Sequence, residues 1–389
     1  MTTETEAGFG IYVHWPFCES KCPYCDFNSH TAGRVDQAQW LDAYRSELNW
    51  AVNELRQSHT TLPVVTSVFF GGGTPSLMKP ETVRGVIAQI RSLFVLSDTV
   101  EITLEANPSS AEADRFRGYA DAGVNRASIG IQSLYNDDLV SLGRAHDRNE
   151  ALSTIDVARS IFPRYSFDLI YARPRQTLSD WTAELSEALD MVGDHLSVYQ
   201  LTIEPGTAFA RDKVPAAEEH LAEKMYRATQ DILSDAGLPA YEISNHAAPG
   251  MEGRHNMTYW RGGMYLGIGP GAHGRLKHTG GWRAEHRIHD PARWLNAVET
   301  KGHGTAKVFF LGPDERRDEA VMMGLRLTDG LTAAAFEDAT GLSLEHAFGD
   351  SSMKRLIDGG FLEKSPGGLR ATPEGMLRLD SVITALLVD

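Results

Sequence analysis

Three thiols within eight positions dictate what this chain must be built around. Cys18, Cys22 and Cys25 are the only cysteines in its 389 residues, and an odd, clustered set cannot make a disulfide framework. They lie in Gly10–His30, GIYVHWPFCESKCPYCDFNSH, as a Cys-x3-Cys-x2-Cys loop short enough for three thiolates to meet one inorganic centre. Soft thiolates select zinc, Cu(I) or an iron–sulfur cluster. Structural zinc takes four tetrahedral ligands, usually as two separated pairs, and here it would need His14 or His30. A [4Fe–4S] cubane normally takes four cysteines, so three would leave one iron open to an outside ligand.

The pattern around that loop is an alternation of strands and helices. Strands are expected at Phe9–His14, Val64–Phe70, Val100–Glu105, Arg126–Ile131, Tyr165–Tyr171 and Leu196–Leu201. Helices are expected at Asp36–Arg56, Pro80–Leu93, Ala111–Ala122, Arg148–Ile161, Thr177–Met191 and His220–Ala236. In the second helix Val83, Val86, Ile87 and Ile90 recur at the helical period. Pro80 suits a first turn, and Gly123 and Gly237 suit helix stops. Six such units imply an α/β fold with a parallel sheet, open or curled into a barrel. In barrels of this kind the chemistry sits at the carboxyl ends of the strands. The polar residues gather there: the cysteine loop, Gly71-Gly72-Gly73-Thr74-Pro75, Glu105-Ala106-Asn107-Pro108, Gln132, Asp168 and Tyr199-Gln200. The glycines would let backbone approach a ligand closely. Their spacing matches neither a phosphate loop nor a dinucleotide fingerprint. Glu105 and Asp168 on apolar strands are costly unless partnered.

A net charge of −15 argues against nucleic acid as a partner, because phosphate binding needs a basic footprint. Yet seven of the 14 histidines fall between His246 and His303, interleaved with Arg254, Arg261, Arg275, Arg283, Arg287 and Arg293. No run of 18 apolar residues suggests a membrane helix. The polar, acidic start MTTETEAGFG reads as no secretory signal. Reduced thiols then point to the cytoplasm.

The cysteine loop and the motifs at the strand ends resemble the radical S-adenosylmethionine (SAM) superfamily. Residues 8 to 380 are similar to its oxygen-independent coproporphyrinogen III oxidase group. The resemblance implies a partial (β/α)6 radical SAM barrel over residues 1–240. It implies that Cys18, Cys22 and Cys25 hold three irons of a [4Fe–4S] cluster while SAM chelates the fourth. Tyr12 matches the tyrosine that precedes the cluster loop, and Gly72, Gly73 and Thr74 match the motif that meets the SAM amino group. Glu105 matches the ribose-binding glutamate, and Gln132, Arg144 and Asp168 match further SAM contacts. The DLIY segment (Asp168–Tyr171) normally continues Gly-Leu-Pro-x-Gln-Thr, whereas here it reads Ala172-Arg173-Pro174-Arg175-Gln176-Thr177.

Two functions follow from that group. The oxidase carries a further cysteine two positions after the third, where this chain has Phe27, a cofactor-contacting position. It also has a long N-terminal extension, where only residues 1–8 precede the first strand here. The segment His255-Asn256-Met257-Thr258-Tyr259-Trp260 resembles the HNxxYW signature of a haem chaperone branch, the HemW type. The resemblance therefore implies a haem-binding protein, with His255 among the candidate cofactor residues, and haem propionates near arginine forks suited to carboxylates. It further implies haem-requiring acceptors, membrane-bound respiratory enzymes in that branch, and a homodimer on cluster loading. Radical decarboxylation of coproporphyrinogen III is the alternative. Residues 241–310 form a His/Arg-rich connecting segment, in which Met264–Gly274 reads as a glycine-rich loop lining a cavity. Residues 311–389 read as short helices followed by a hairpin, a winged-helix-like domain. Its basic residues are matched by acidic ones, so a lid or docking role is expected there.

Overall fold

The period-2 and period-3.6 patterns become real elements close to their expected limits. The computed structural model describes residues 7–58, 61–348 and 350–387. Most of the acidic start, on which the signal-peptide reading rests, lies outside them. Eleven strands make one sheet: β1 Phe9–Trp15, β2 Val65–Gly72, β3 Leu96–Ala106, β4 Arg126–Gln132, β5 Arg164–Tyr171, β6 His195–Gln200, β7 Asn245–Ala247, β8 Met264–Ile268, β9 His273–His278, β10 Gly281–Arg287 and β11 Thr305–Leu311. Their order is β11-β10-β9-β8-β1-β2-β3-β4-β5-β6-β7. β1 to β6 are parallel neighbours, and the ladder ends at β11 and β7 without closing. The fold is α/β, a partial barrel on a mixed sheet.

The connecting helices start and stop where local chemistry directs. Arg148–Ile161 opens on a capping box between Asp147 and Glu150, and Leu178–Leu189 on one between Thr177 and Asp180. Each box satisfies N–H groups that a helix start leaves unpaired. The helix expected over Ala111–Ala122 is broken into Ser110–Ala113 and Phe116–Ala122. A buried core, including Ile11, Val13, Phe70 and Ile129, fills the space between sheet and helices.

The segment Met264–Gly274 departs from expectation. It is strand β8, a turn and the start of β9, not a cavity-lining loop. β8 runs parallel to β1, from Phe9 opposite Met264 to Val13 opposite Ile268. Its glycines hid the strand signal, but they are there for contact: a Cβ on Gly267 would sit 2.0 Å from the His273 carbonyl oxygen. A buried carboxylate fixes this extension to the barrel. Glu47, on helix Gln37–Ser58, accepts from the Gly269 and Gly304 amides at 2.8 Å each and from the Trp294 indole at 3.1 Å. It also lies 3.6 Å from the Arg287 guanidinium. Such charge-assisted bonds are the stronger kind.

Residues beyond β11 build a separate core around Val321, Leu325, Phe336, Leu362 and Val382. A three-stranded antiparallel sheet, Leu331–Thr332 beside Gly368–Ala371 beside Leu362–Ser365, supplies the wing. The final helix Leu379–Leu387 was not anticipated. This unit docks on the sheet extension: Arg275 meets Glu319 at 2.8 Å, and Arg316 lies 3.8 Å above the Trp282 ring.

Candidate functional site

The carboxyl ends of β1 to β6 surround one cavity of about 400 Å³. Cys18, Cys22, Cys25 and Phe27 line it from the loop after β1; Gly72, Gly73 and Thr74 from the loop after β2; and Glu105, Gln132, Arg144 and Asp168 from the far side. Eleven of the expected site residues thus share a single wall. Among the described residues none beyond β11 lines the cavity.

Close approach of two loops explains the glycines. Gly72 has φ +118°, and a Cβ there would lie 2.7 Å from the Trp15 carbonyl oxygen and from the His14 ring. A Cβ on Gly73 would meet the Phe17 carbonyl oxygen at 2.7 Å and the Cys18 sulfur at 3.0 Å. Only glycine allows both a positive φ and this contact. The Gly73 amide then donates to the Trp15 carbonyl at 2.7 Å and the Thr74 amide to the Phe17 carbonyl at 2.8 Å, which fixes the start of the cysteine loop. Gln132 is also left-handed, at φ 71°, beside an irregularity in the β4–β5 pairing. Strain of this kind concentrates at functional sites.

The three thiols are free and half-buried. Arg144 donates to the Cys22 sulfur at 3.2 Å, to the Asn107 side-chain oxygen at 2.7 Å and to the Gly130 carbonyl at 2.9 Å. Burial pushes the Cys18 thiol up, opposed by a hydrogen bond with Thr74. The zinc alternative loses His14 as an extra ligand. Both His14 ring nitrogens are bonded, to the Tyr12 hydroxyl and the Asn28 carbonyl at 3.0 Å each, and the His30 Nε2 bonds the Asn28 side chain at 3.0 Å.

Opposite the thiols the cavity is chemically unsatisfied. Glu105 accepts from the Gly72 amide at 3.2 Å. Burial, and then the charge of Asp168, push Glu105 up to about 8. Burial likewise pushes Asp168 up to about 6, with Ser197, Arg126 and Arg144 opposing. The buried Arg144 Nε has no partner among the described residues. Two buried carboxylates, each pushed up by burial, and an Arg144 Nε without an acceptor fit a ligand carrying hydroxyl or ammonium groups and a carboxylate. SAM has all of these, and three thiols beside it fit a cluster with one open iron.

A pH signature follows. Because Glu105 titrates higher in the fold than its ordinary value near 4.5, its contribution favours the ligand-free fold at low pH. That contribution is lost as pH rises through about 8. Glu105→Gln should therefore stabilise the ligand-free protein increasingly between about pH 5 and pH 9. Melting temperatures of both proteins across that range check it; a constant difference would remove Glu105 from the set of strained acids.

Two expected residues lie elsewhere. Tyr12 is behind the cavity wall, stacked on Phe69 and His255, and burial holds its phenol protonated. His255 is 2% exposed, its Nδ1 bonded to the Ser67 hydroxyl at 2.9 Å and its Nε2 to the Tyr259 hydroxyl at 2.7 Å. Both nitrogens are occupied inside the fold, so His255 is a packed core histidine here and is not presented to a haem. The HNxxYW segment forms helix Arg254–Trp260, against β2. Conversely, Tyr24, Ser128 and Gly130 line the cavity without having been singled out. A glycine inside a strand was the available signal for Gly130, since it marks close approach.

The irregular ARPRQT stretch is structural. Ala172 and Arg175 adopt φ 57° and 67°. Arg173 is 1% exposed and turns away from the cavity to pair with Glu184 at 2.6 Å and Asp138 at 2.9 Å.

The Radical SAM superfamily matches residues 12–187, and the HemN C-terminal domain matches residues 311–378. Over 388 residues the chain is 42% identical to "Radical S-adenosyl methionine domain-containing protein 1, mitochondrial" of Mus musculus, covering 97% of this chain and 87% of that one. It is 33% identical to "Heme chaperone HemW" of Haemophilus influenzae, covering 97% and 98%. Coproporphyrinogen III oxidase (HemN) of Escherichia coli shares the fold, with a TM-score of 0.81 at 20% identity over 97% of this chain and 89% of that one.

Proposed function

Because the chain belongs to the radical SAM superfamily, in the group that holds the HemW haem chaperones, we propose that it is a haem carrier that delivers haem to haem-requiring proteins. The observation that carries this reading is similarity to a bacterial heme chaperone along essentially the whole of both chains. Phe27, 61% exposed at the cavity, supports it by standing where the oxidase group has a further thiol.

Cys18, Cys22 and Cys25 would hold a [4Fe–4S] cluster. Gly72, Gly73, Thr74, Glu105, Gln132, Arg144 and Asp168 would hold SAM against it. A reduced cluster with SAM supplies one-electron cleavage of a carbon–sulfur bond. In a carrier the same site serves assembly and haem release more than turnover. Arg144 would hold Cys22 in place through its contact with the sulfur, Glu105 and Asp168 would orient hydroxyl or ammonium donors, and the glycine loop would exclude side chains from the contact. The acceptors would be membrane-bound respiratory enzymes, met from the cytoplasm by a homodimer formed on cluster loading. No helix among the described residues is long and apolar enough to cross a membrane.

The test is a pair of assays on anaerobically reconstituted protein. Haem titration should give stoichiometric uptake, and incubation with coproporphyrinogen III, SAM and reductant should yield no protoporphyrinogen. Conversion would make the protein the oxidase; absence of haem uptake would end the carrier reading.

A further inference from the structure

We propose that the haem seat is the patch made by His273, His286, His289 and Phe309 on the sheet extension, with an imidazole of the His273–His286 pair on the iron. This rests on the haem-carrier reading above and gives it a location. His273 and His286 face each other across β9 and β10, their rings stacked at 4.0 Å with planes 7° apart. His289 stands edge-on to His273 at 6.4 Å, and Phe309 edge-on to His286 at 5.3 Å.

Three observations distinguish these histidines from the others in the extension. Unlike His14 and His255, they make no ring hydrogen bond among the described residues, so their nitrogens are open to a ligand. His273 and His289 are exposed and His286 is half-buried, so an approaching disc can reach them. Parallel rings 4.0 Å apart cannot both point at one ion. A flat ligand with one axial position suits the patch better than a bare metal.

The surroundings suit a porphyrin. β11 is an edge strand that exposes Phe309 by 41% on the face it shares with His286 and Lys307. Exposed apolar surface of this kind marks a binding face, and an aromatic beside the axial histidine packs the macrocycle. Lys307, exposed and opposite His286, offers a cation to a propionate. The patch is also tied to the cluster loop. Asn28, three positions after Cys25, donates to the His289 and Pro270 carbonyls at 3.0 Å each. A change at the cluster would therefore reach the haem seat through one side chain.

The experiment titrates the full-length wild type, the double variant His273→Ala/His286→Ala and the single variant Phe309→Glu with ferric haem. Iron and sulfide content and circular dichroism are read in parallel. The double variant should lose the imidazole-ligated Soret band and bind haem about tenfold or more weakly, with free imidazole restoring the band and the cluster content unchanged. Phe309→Glu, at an exposed position that cannot disturb the core, should weaken haem binding while keeping the band. Wild-type spectra and affinity in the double variant would overturn the seat and leave the carrier reading standing. No haem uptake by the wild type would overturn both.

Discussion

Cys22→Ser should strip the protein of its cluster and leave the rest of the fold in place. If three thiolates are the whole protein contribution to a [4Fe–4S] centre, as proposed, losing one is expected to lower iron from about four per chain to nearly none. The packing cost is small, because Cys22 is half-buried at a cavity wall and its side chain is met by Arg144. Arg144 keeps its bonds to Asn107 and Gly130. Iron and sulfide assays after anaerobic reconstitution, beside circular dichroism, decide the matter. Full iron and sulfide in the variant would show that these are not the ligands. Haem uptake in the same variant should persist if the seat lies on the sheet extension.

Arg173→Met should destabilise the protein strongly while sparing the cavity. Arg173 and Glu184 are 1% and 0% exposed and paired at 2.6 Å. Removing one member leaves a buried carboxylate uncompensated, which typically costs about 3–5 kcal/mol. Glu184 retains the Ser133 hydroxyl at 2.6 Å and the Leu134 amide at 2.7 Å, which places the loss toward the lower part of that range. Denaturant unfolding of Arg173→Met, Glu184→Met and the double variant measures the coupling. A single variant as stable as wild type would mean that the pair contributes nothing. SAM affinity should not change in Arg173→Met, since Arg173 does not line the cavity.

The two cases show unequal legibility. Cys18, Cys22 and Cys25 stand out in the sequence because the spacing limits what three thiols in one loop can bind. Glu105 and Asp168 were readable because a charge on an apolar strand needs a reason. Arg173 could be noticed only as a departure from the usual Gly-Leu. Its partners, Glu184 on a later helix and Asp138 on an earlier one, are brought to it by folding. His255 is the converse case: the HNxxYW pattern singles it out, and only the fold places Ser67 and Tyr259 on its two nitrogens.

By itself the sequence determined the βα alternation, the parallel sheet and the rim where the candidate site residues gather, because side-chain periodicity and cysteine spacing are local properties. Only the tertiary structure decided that the glycine-rich stretch after His255 is a strand beside β1, and which histidines keep free nitrogens. Those outcomes depend on pairing and burial between residues far apart in the chain: Glu47 collects amides from Gly269 and Gly304, and His273 meets His286 only across two strands.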